Sequence, residues 1–259
     1  MTLVLIVAIP LATAVAIALV GGRLGRRTLG VVTTISLGLA FGAGVSMIAS
    51  LNARPSLDAY LGPWLPISGA DFALTVDGSM LAVALAITGV SALIALYSID
   101  YLARDRGLQR YFATFALLVG GTLLVVLGSN LLLVLMGWEL AGVSRYLLVG
   151  HHRDDPRAGS AALKAFVVER VGDAALVAGT LLLLAEFHTV DIAQLGGVAI
   201  EHGSVAAVLL LLMFHPPVSG KAWEPTGDDA EGGPMGGAAP TSETGVTADD
   251  PRWAKRTDA

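Results

Sequence analysis

Apolar positions along this chain do not alternate with polar ones; they gather into long blocks. The blocks cover residues 2–20, 30–51, 79–99, 111–128, 131–150 and 161–186. Each is long enough to cross a hydrocarbon core of about 30 Å as a helix rising about 1.5 Å per residue. A seventh block, 204–214, is shorter than a span. Backbone groups facing lipid must be paired within their own segment, so runs this long and apolar are read as helices. The pattern predicts an all-α polytopic membrane protein with six to seven transmembrane helices. Little more than Gly128-Ser129-Asn130 joins the fourth and fifth blocks, which predicts a tight helical hairpin.

Composition agrees. Of 259 residues, 54% are hydrophobic and only 14% charged, against about 25% charged in a typical soluble domain. A soluble enzyme is thereby disfavoured. The formal net charge is −5, so no basic excess is available to neutralise nucleic-acid phosphates. Cysteine is absent, which removes disulfides, thiolate metal sites, iron–sulfur ligation and cysteine nucleophiles from this chain. No Walker loop and no strand-borne GxGxxG is present. His151-His152 beside Asp154-Asp155 reads as a solvated loop, because adjacent residues seldom supply metal-ligand geometry. No catalytic or metal constellation emerges. Trp64, Tyr97, Tyr101 and Tyr111 fit aromatic belts at the two interfaces.

Charge placement separates a body from a tail. Residues 1–215 hold 12 Lys+Arg and 13 Asp+Glu; residues 216–259 hold 4 and 8, with six of the eleven prolines. The tail, rich in Gly, Pro and acid, reads as disordered. In the body, Arg23, Arg26, Arg27, Arg104, Arg106, Arg110, Arg153 and Arg157 occupy alternate loops, whereas the intervening loops carry Arg54 alone with Asp58, Asp71, Asp77, Asp191 and Glu201. The positive-inside bias predicts an outside N-terminus and a cytoplasmic tail. The first block has no basic residue before it, so it is not read as a signal peptide.

Ionisable residues within spans cost roughly 2.5–3.5 kcal/mol each at the bilayer centre on insertion scales. They are the strongest functional signal here. Glu139 lies near the middle of 131–150 and Asp173 near the middle of 161–186, which suits a proton relay. Arg170 and Asp173 are three apart and can pair on one helical face. Glu169 and Asp173 are four apart, so two acids crowd one face and one is expected to carry a proton. Arg145 lies six residues after Glu139, about 120° round the helix, and should not pair with it there. Lys164 sits nearer the arginine-rich side, within snorkelling reach of the interface.

Residues 129–175, "SNLLLVLMGWELAGVSRYLLVGHHRDDPRAGSAALKAFVVERVGDAA", resemble the L subunit, or chain 5, of proton-pumping NADH:quinone oxidoreductase (complex I). The shared features are Gly-Trp-Glu, Tyr-Leu-Leu before a Gly, Lys-Ala-Phe and Arg-Val-Gly-Asp, in order. The upstream Val-Asp-Gly and Tyr-Phe resemble the N-terminal region of the same family. The likeness spans about residues 60–195. It extends to cation/proton antiporter subunits, membrane hydrogenase subunits and inorganic-carbon uptake partners.

The resemblance implies two inverted five-helix repeats, each with a broken helix at the membrane centre. This chain would hold part of the first. Residues 1–60 would be N-terminal transmembrane helices, 61–128 a chain-5-like region, 129–215 a partial antiporter-like module, and 216–259 a non-homologous tail. The resemblance further implies that Glu139 pairs with a lysine of the broken seventh helix, for which Lys221 is the candidate. Lys164, Arg170 and Asp173 would join Glu139 in a proton path. It implies no cofactor on this chain, with NADH, FMN, iron–sulfur clusters and quinone in partner subunits. The partners are other membrane subunits and the lipid bilayer of the cell's inner membrane. Arg145 and Glu169 depart from the family pattern, as does the sequence after "VAAVLLLLMF", and the second repeat is missing. A truncated or frameshifted chain is the resulting expectation. The alternatives are a subunit of an antiporter or carbon-uptake complex and a non-transporting assembly fragment.

Overall fold

The computed structural model describes residues 1–201 except 103, 104, 106 and 152–155. The seventh block, Lys221, His202, His215 and the acidic tail lie outside the described residues. So do Arg104, Arg106, Arg153 and the His152-Asp154-Asp155 part of the polar loop.

The helices are α1 (Thr2–Val20), α2 (Arg26–Ala53), α3 (Gly78–Tyr101), α4 (Leu108–Leu127), α5 (Leu131–Val149), α6 (Pro156–Phe187) and α7 (Ile192–Glu201). Five of them, α1 to α5, are long and apolar enough to cross a membrane. The sixth expected span lies within the 32-residue α6, whose apolar character Lys164, Glu169, Arg170 and Asp173 interrupt. Between α2 and α3, where the sequence pattern predicted no element, strands β1 (Ser56–Pro63) and β2 (Asp71–Asp77) form an antiparallel hairpin.

Helix α4 is the centre of the bundle, packing chiefly on α1 and α5 and more lightly on α2 and α3. Phe112, Phe115, Val119, Leu123, Leu124 and Leu127 are its buried residues toward these neighbours. Close approach to α5 depends on two glycines. A Cβ at Gly137 would lie 2.6 Å from the Gly121 carbonyl oxygen, and one at Gly121 would lie 2.9 Å from the Gly137 carbonyl oxygen. Without side chains at these points the helices gain dispersion contact, the main source of helix association where lipid is as apolar as leucine.

Polarity is arranged for a lipid solvent. Leu19, Leu39, Leu93 and Leu96 are exposed, whereas Thr33, Thr88, Ser98, Ser144 and Thr180 are buried. These five hydroxyls donate to the carbonyl four residues back at 2.7–2.9 Å, so they leave no polar atom unmatched.

Three connections meet at one end of the bundle. Asn130 caps α5 by accepting from the Leu133 amide at 3.0 Å and donates to the Asp71 carbonyl at 2.6 Å. Ser129 donates its hydroxyl to the Ala73 carbonyl, and the Leu131 amide bonds to the Val190 carbonyl. Thus β2, the α4–α5 turn and the segment after α6 form one polar plate. Asp77 caps α3, accepting from Ser79 Oγ at 2.6 Å and the Met80 amide at 2.8 Å. The Ser79 hydroxyl, and after it the Met80 amide, hold the Asp77 carboxyl below the usual carboxylate range.

The arginine-bearing connections meet at the other end. Gln109 Nε2 donates to the Ile17 and Ala18 carbonyls, both at 3.0 Å, closing the end of α1. Gly107 starts α4 at φ +86°, a conformation only glycine adopts readily. Two expectations change here. His151 is not solvated: it is 7% exposed, with its carbonyl bound by Arg110 and its ring edge-on to Tyr111. Tyr111 points inward as well, sharing a 3.0 Å hydrogen bond with Ser98 Oγ rather than joining a lipid-facing belt. Tyr97 and Tyr101 do lie exposed, stacked at 5.3 Å.

Candidate functional site

The site lies where α5 meets α6. The polar α4–α5 turn holds the start of α5, which packs against both α4 and α6 and carries Glu139 near its midpoint. Arg170 of α6 donates through Nη1 to Glu139 Oε2. Its Nη2 lies 2.6 Å from Asp173 Oδ2, an ion contact rather than an aligned hydrogen bond. One guanidinium therefore serves two carboxylates. Asp173 is the buried member, at 5% exposure. Its Oδ1 accepts from Trp138 Nε1 at 2.6 Å. Arg170 also lies 4.7 Å from the centre of the Phe166 ring, a cation–π contact that steadies the charge.

A second ion pair lies beside the first. Arg145 Nε is 3.2 Å from Glu169 Oε1, joining α5 to α6 closer to the arginine-rich end. Arg145 also stands 5.9 Å from the Trp138 ring centre. The crowding foreseen between Glu169 and Asp173 is relieved, because each acid faces its own arginine. As expected, Arg145 and Glu139 do not pair.

Sequence reasoning named Glu139, Lys164, Arg170, Asp173 and Lys221. The structure brings Glu139, Arg170 and Asp173 together. Lys164 is exposed on α6, about 9 Å along the axis from Arg170, with no ion-pair partner among the described residues. Lys221 lies outside those residues, and the cation that meets Glu139 within them is Arg170. Trp138 was missed as a site residue. Its signals are its place directly before Glu139 and its share in the Gly-Trp-Glu of the family resemblance; an indole in an apolar helix otherwise reads as packing. No group of three or more metal-ligating side chains occurs among the described residues. A separate groove of about 490 Å³ between α1 and α4 is mostly apolar and lies away from these charges.

A helical bundle with apolar outer faces and a carboxylate–arginine network between two of its helices has the architecture of a polytopic membrane protein with ionisable groups inside its bundle. Comparisons give the family. Residues 128–222 match the transmembrane family described as NADH:quinone oxidoreductase/Mrp antiporter, so Gly220-Lys221 falls inside the matched stretch. Residues 64–112 match the chain 5 N-terminus of NADH-ubiquinone oxidoreductase (complex I). NADH-quinone oxidoreductase subunit L of Mycobacterium tuberculosis is 37% identical over 220 residues, 81% of this chain and 34% of the relative. Its Escherichia coli namesake is 33% identical over 204 residues, 77% and 33% of the two chains. NADH-ubiquinone oxidoreductase chain 5 of Allomyces macrogynus is 31% identical over 216 residues, 81% and 34%. This chain belongs to the family of complex I subunit L and chain 5. It spans about a third of the length of these curated relatives.

Two solved structures share the fold. A chain of the archaeal membrane-bound sulfane sulfur reductase superposes with a TM-score of 0.71 at 20% identity, covering 82% of this chain and 43% of that one. A chain of the Mrp complex from a Dietzia species gives 0.68 at 20% identity, covering 82% and 23%.

Proposed function

We propose that this chain is a membrane subunit of a proton-translocating NADH:quinone oxidoreductase, and that its α5–α6 network is part of a proton relay. The supporting observation is one arginine held between two carboxylates at mid-depth in apolar helices. Glu139, Arg170 and Asp173 carry a combined charge of −1 when all are ionised. In a low-dielectric setting, whichever carboxylate loses its cation gains proton affinity. A shift of Arg170 toward Asp173 would therefore favour proton uptake at Glu139, and a return shift would favour release. Trp138 donates only to Asp173, so it keeps that acid in place while Arg170 moves.

In this reading the chain carries no redox group. NADH, FMN, iron–sulfur clusters and quinone belong to partner subunits, and electrostatic coupling drives Arg170. The exposed edge of α6 bears Lys164 beside Leu163 and Val167. A charge facing lipid is costly, so this edge would face protein or water in the assembled complex. The arginine-rich end would lie in the cytoplasm and the hairpin end outside the inner membrane.

One observation favours a second reading. The matched family also covers Mrp antiporters, and one fold neighbour is an Mrp complex. The chain would then exchange a metal cation for a proton without NADH oxidation. Inverted vesicles from cells expressing the chain with its genomic partners separate the two. Acidification on NADH addition, and none on a sodium or potassium pulse, supports the oxidoreductase. No acidification on NADH addition, with the lumen turning alkaline on the cation pulse as protons leave in exchange for the entering cation, supports the antiporter.

A further inference from the structure

Glu169 and Arg145 form an ion pair between α5 and α6 that the relay described above does not use. They line a cavity of about 220 Å³ between α5 and α6, with Tyr146, Val149, Ala165 and Phe166. The cavity lies toward the arginine-rich end; its walls are mostly apolar, and Glu169 and Arg145 are the charged groups at which entering water would bond. The Glu169 and Arg145 side chains are 24% and 43% exposed, so neither is sealed off. A gap links this pair to the relay. A Cβ placed at Gly142 would lie 2.9 Å from Arg170 Nη2, 3.6 Å from Glu169 Oε2 and 3.8 Å from Arg145 Nη2. Both guanidinium groups and the Glu169 carboxylate thus converge on the space where Gly142 lacks a side chain.

We infer that Glu169 is the proton-loading group of the α5–α6 network, filled from water in this cavity and coupled to Arg170 through the space over Gly142. This rests on the relay reading. The Glu169 carboxylate takes a proton from a hydronium ion in the cavity, leaving water behind. An O–H bond forms, and the attraction to Arg145 and Arg170 falls. Arg145 stays solvated in the cavity. Arg170 is then held by Glu139 and Asp173 alone. When Arg170 moves off Glu139, the proton passes through water to the Glu139 carboxylate, and Glu169 returns to its ionised form beside Arg145. Among the described residues, the titratable and charged groups that meet Glu169 are Arg145 and Tyr146 from α5 and Arg170 on its own helix.

The test is proton uptake by vesicles carrying the assembled chain. The variants are Glu139→Gln, Glu169→Gln, and the double change Arg145→Gln with Glu169→Gln. The double change removes both members of the ion pair and leaves no lone charge. Uptake is expected to fall about tenfold or more in the single and the double Glu169 variants, the order of a lost proton-transfer group. Glu169→Asp is expected to recover part of it with an altered pH profile. Wild-type uptake in the double variant, with Glu139→Gln inactive, would make the pair merely structural and overturn this inference alone. Wild-type uptake in every variant, Glu139→Gln included, would remove the relay reading as well.

Discussion

Arg170 is the residue on which the site turns, because two carboxylates depend on it and one of them is 5% exposed. Removing one partner of a buried pair costs about 3–5 kcal/mol, most of it from the charge left behind. Arg170→Ala is therefore expected to lower the thermal unfolding midpoint in detergent sharply. Adding Glu139→Gln and Asp173→Asn to it should return most of the loss. If the triple variant is no more stable than Arg170→Ala, the charges are not coupled as described. The sequence showed the Arg170–Asp173 pairing through its three-residue spacing. It did not show Glu139 meeting Arg170, which depends on how α5 and α6 are rotated against each other. Nor did it show Trp138 as a partner of Asp173, since indole donors leave no periodic trace.

At the scale of elements, the α4–α5 contact offers a test of packing. A Cβ at Gly137 would meet the Gly121 carbonyl oxygen, which belongs to backbone and cannot swing away. Gly137→Ala is expected to destabilise the bundle by about 1–3 kcal/mol, the usual cost of overpacking. Gly38→Ala is the control. Nothing lies within 4 Å of its Cβ position, and alanine improves helix propensity by up to about 1 kcal/mol. Equal stability losses in the two variants would refute the close approach.

The hairpin end has its own pH dependence. The Asp77 carboxyl is held below its unfolded value, so its contribution to stability is present above that unfolded value. It is lost as pH falls through the lower folded value. The gap between wild type and Asp77→Asn in unfolding midpoint should therefore be present at neutral pH and close in acid. A gap independent of pH would mean that the cap does not act through its charge.

The long helices were legible because lipid demands long apolar runs. The hairpin was not, although Phe72, Leu74 and Val76 alternate with Ala73 and Thr75 in the period of a strand. Seven residues are too few to register in a search for membrane-length blocks.

For the whole molecule, the structure places the hairpin, the Gly128-Ser129-Asn130 turn and the segment after α6 at one end. The connections holding Arg26 and Arg110 lie at the other. Alternation of arginine between loops had marked the same division, because an unpaired charge within the hydrocarbon is costly. Which end faces the cytoplasm can be read directly, as the chain has no cysteine of its own. A membrane-impermeant thiol reagent on intact cells is expected to label Ser56→Cys and to spare Leu24→Cys until the membrane is opened. The opposite pattern would invert the topology. One feature of the whole chain was legible only by family resemblance: the antiporter-like bundle. Hydropathy reports spans, and it says nothing of which helices become neighbours.

The central claim is that the Glu139–Arg170–Asp173 network carries protons driven by NADH oxidation. The most direct measurement is NADH-driven acidification of inverted vesicles in which the only copy of the chain carries Glu139→Gln. NADH oxidation by an artificial electron acceptor is followed alongside to show that the complex is assembled. The account predicts acceptor reduction near the wild-type rate with proton uptake reduced by about tenfold or more. Wild-type proton uptake in that variant would contradict it.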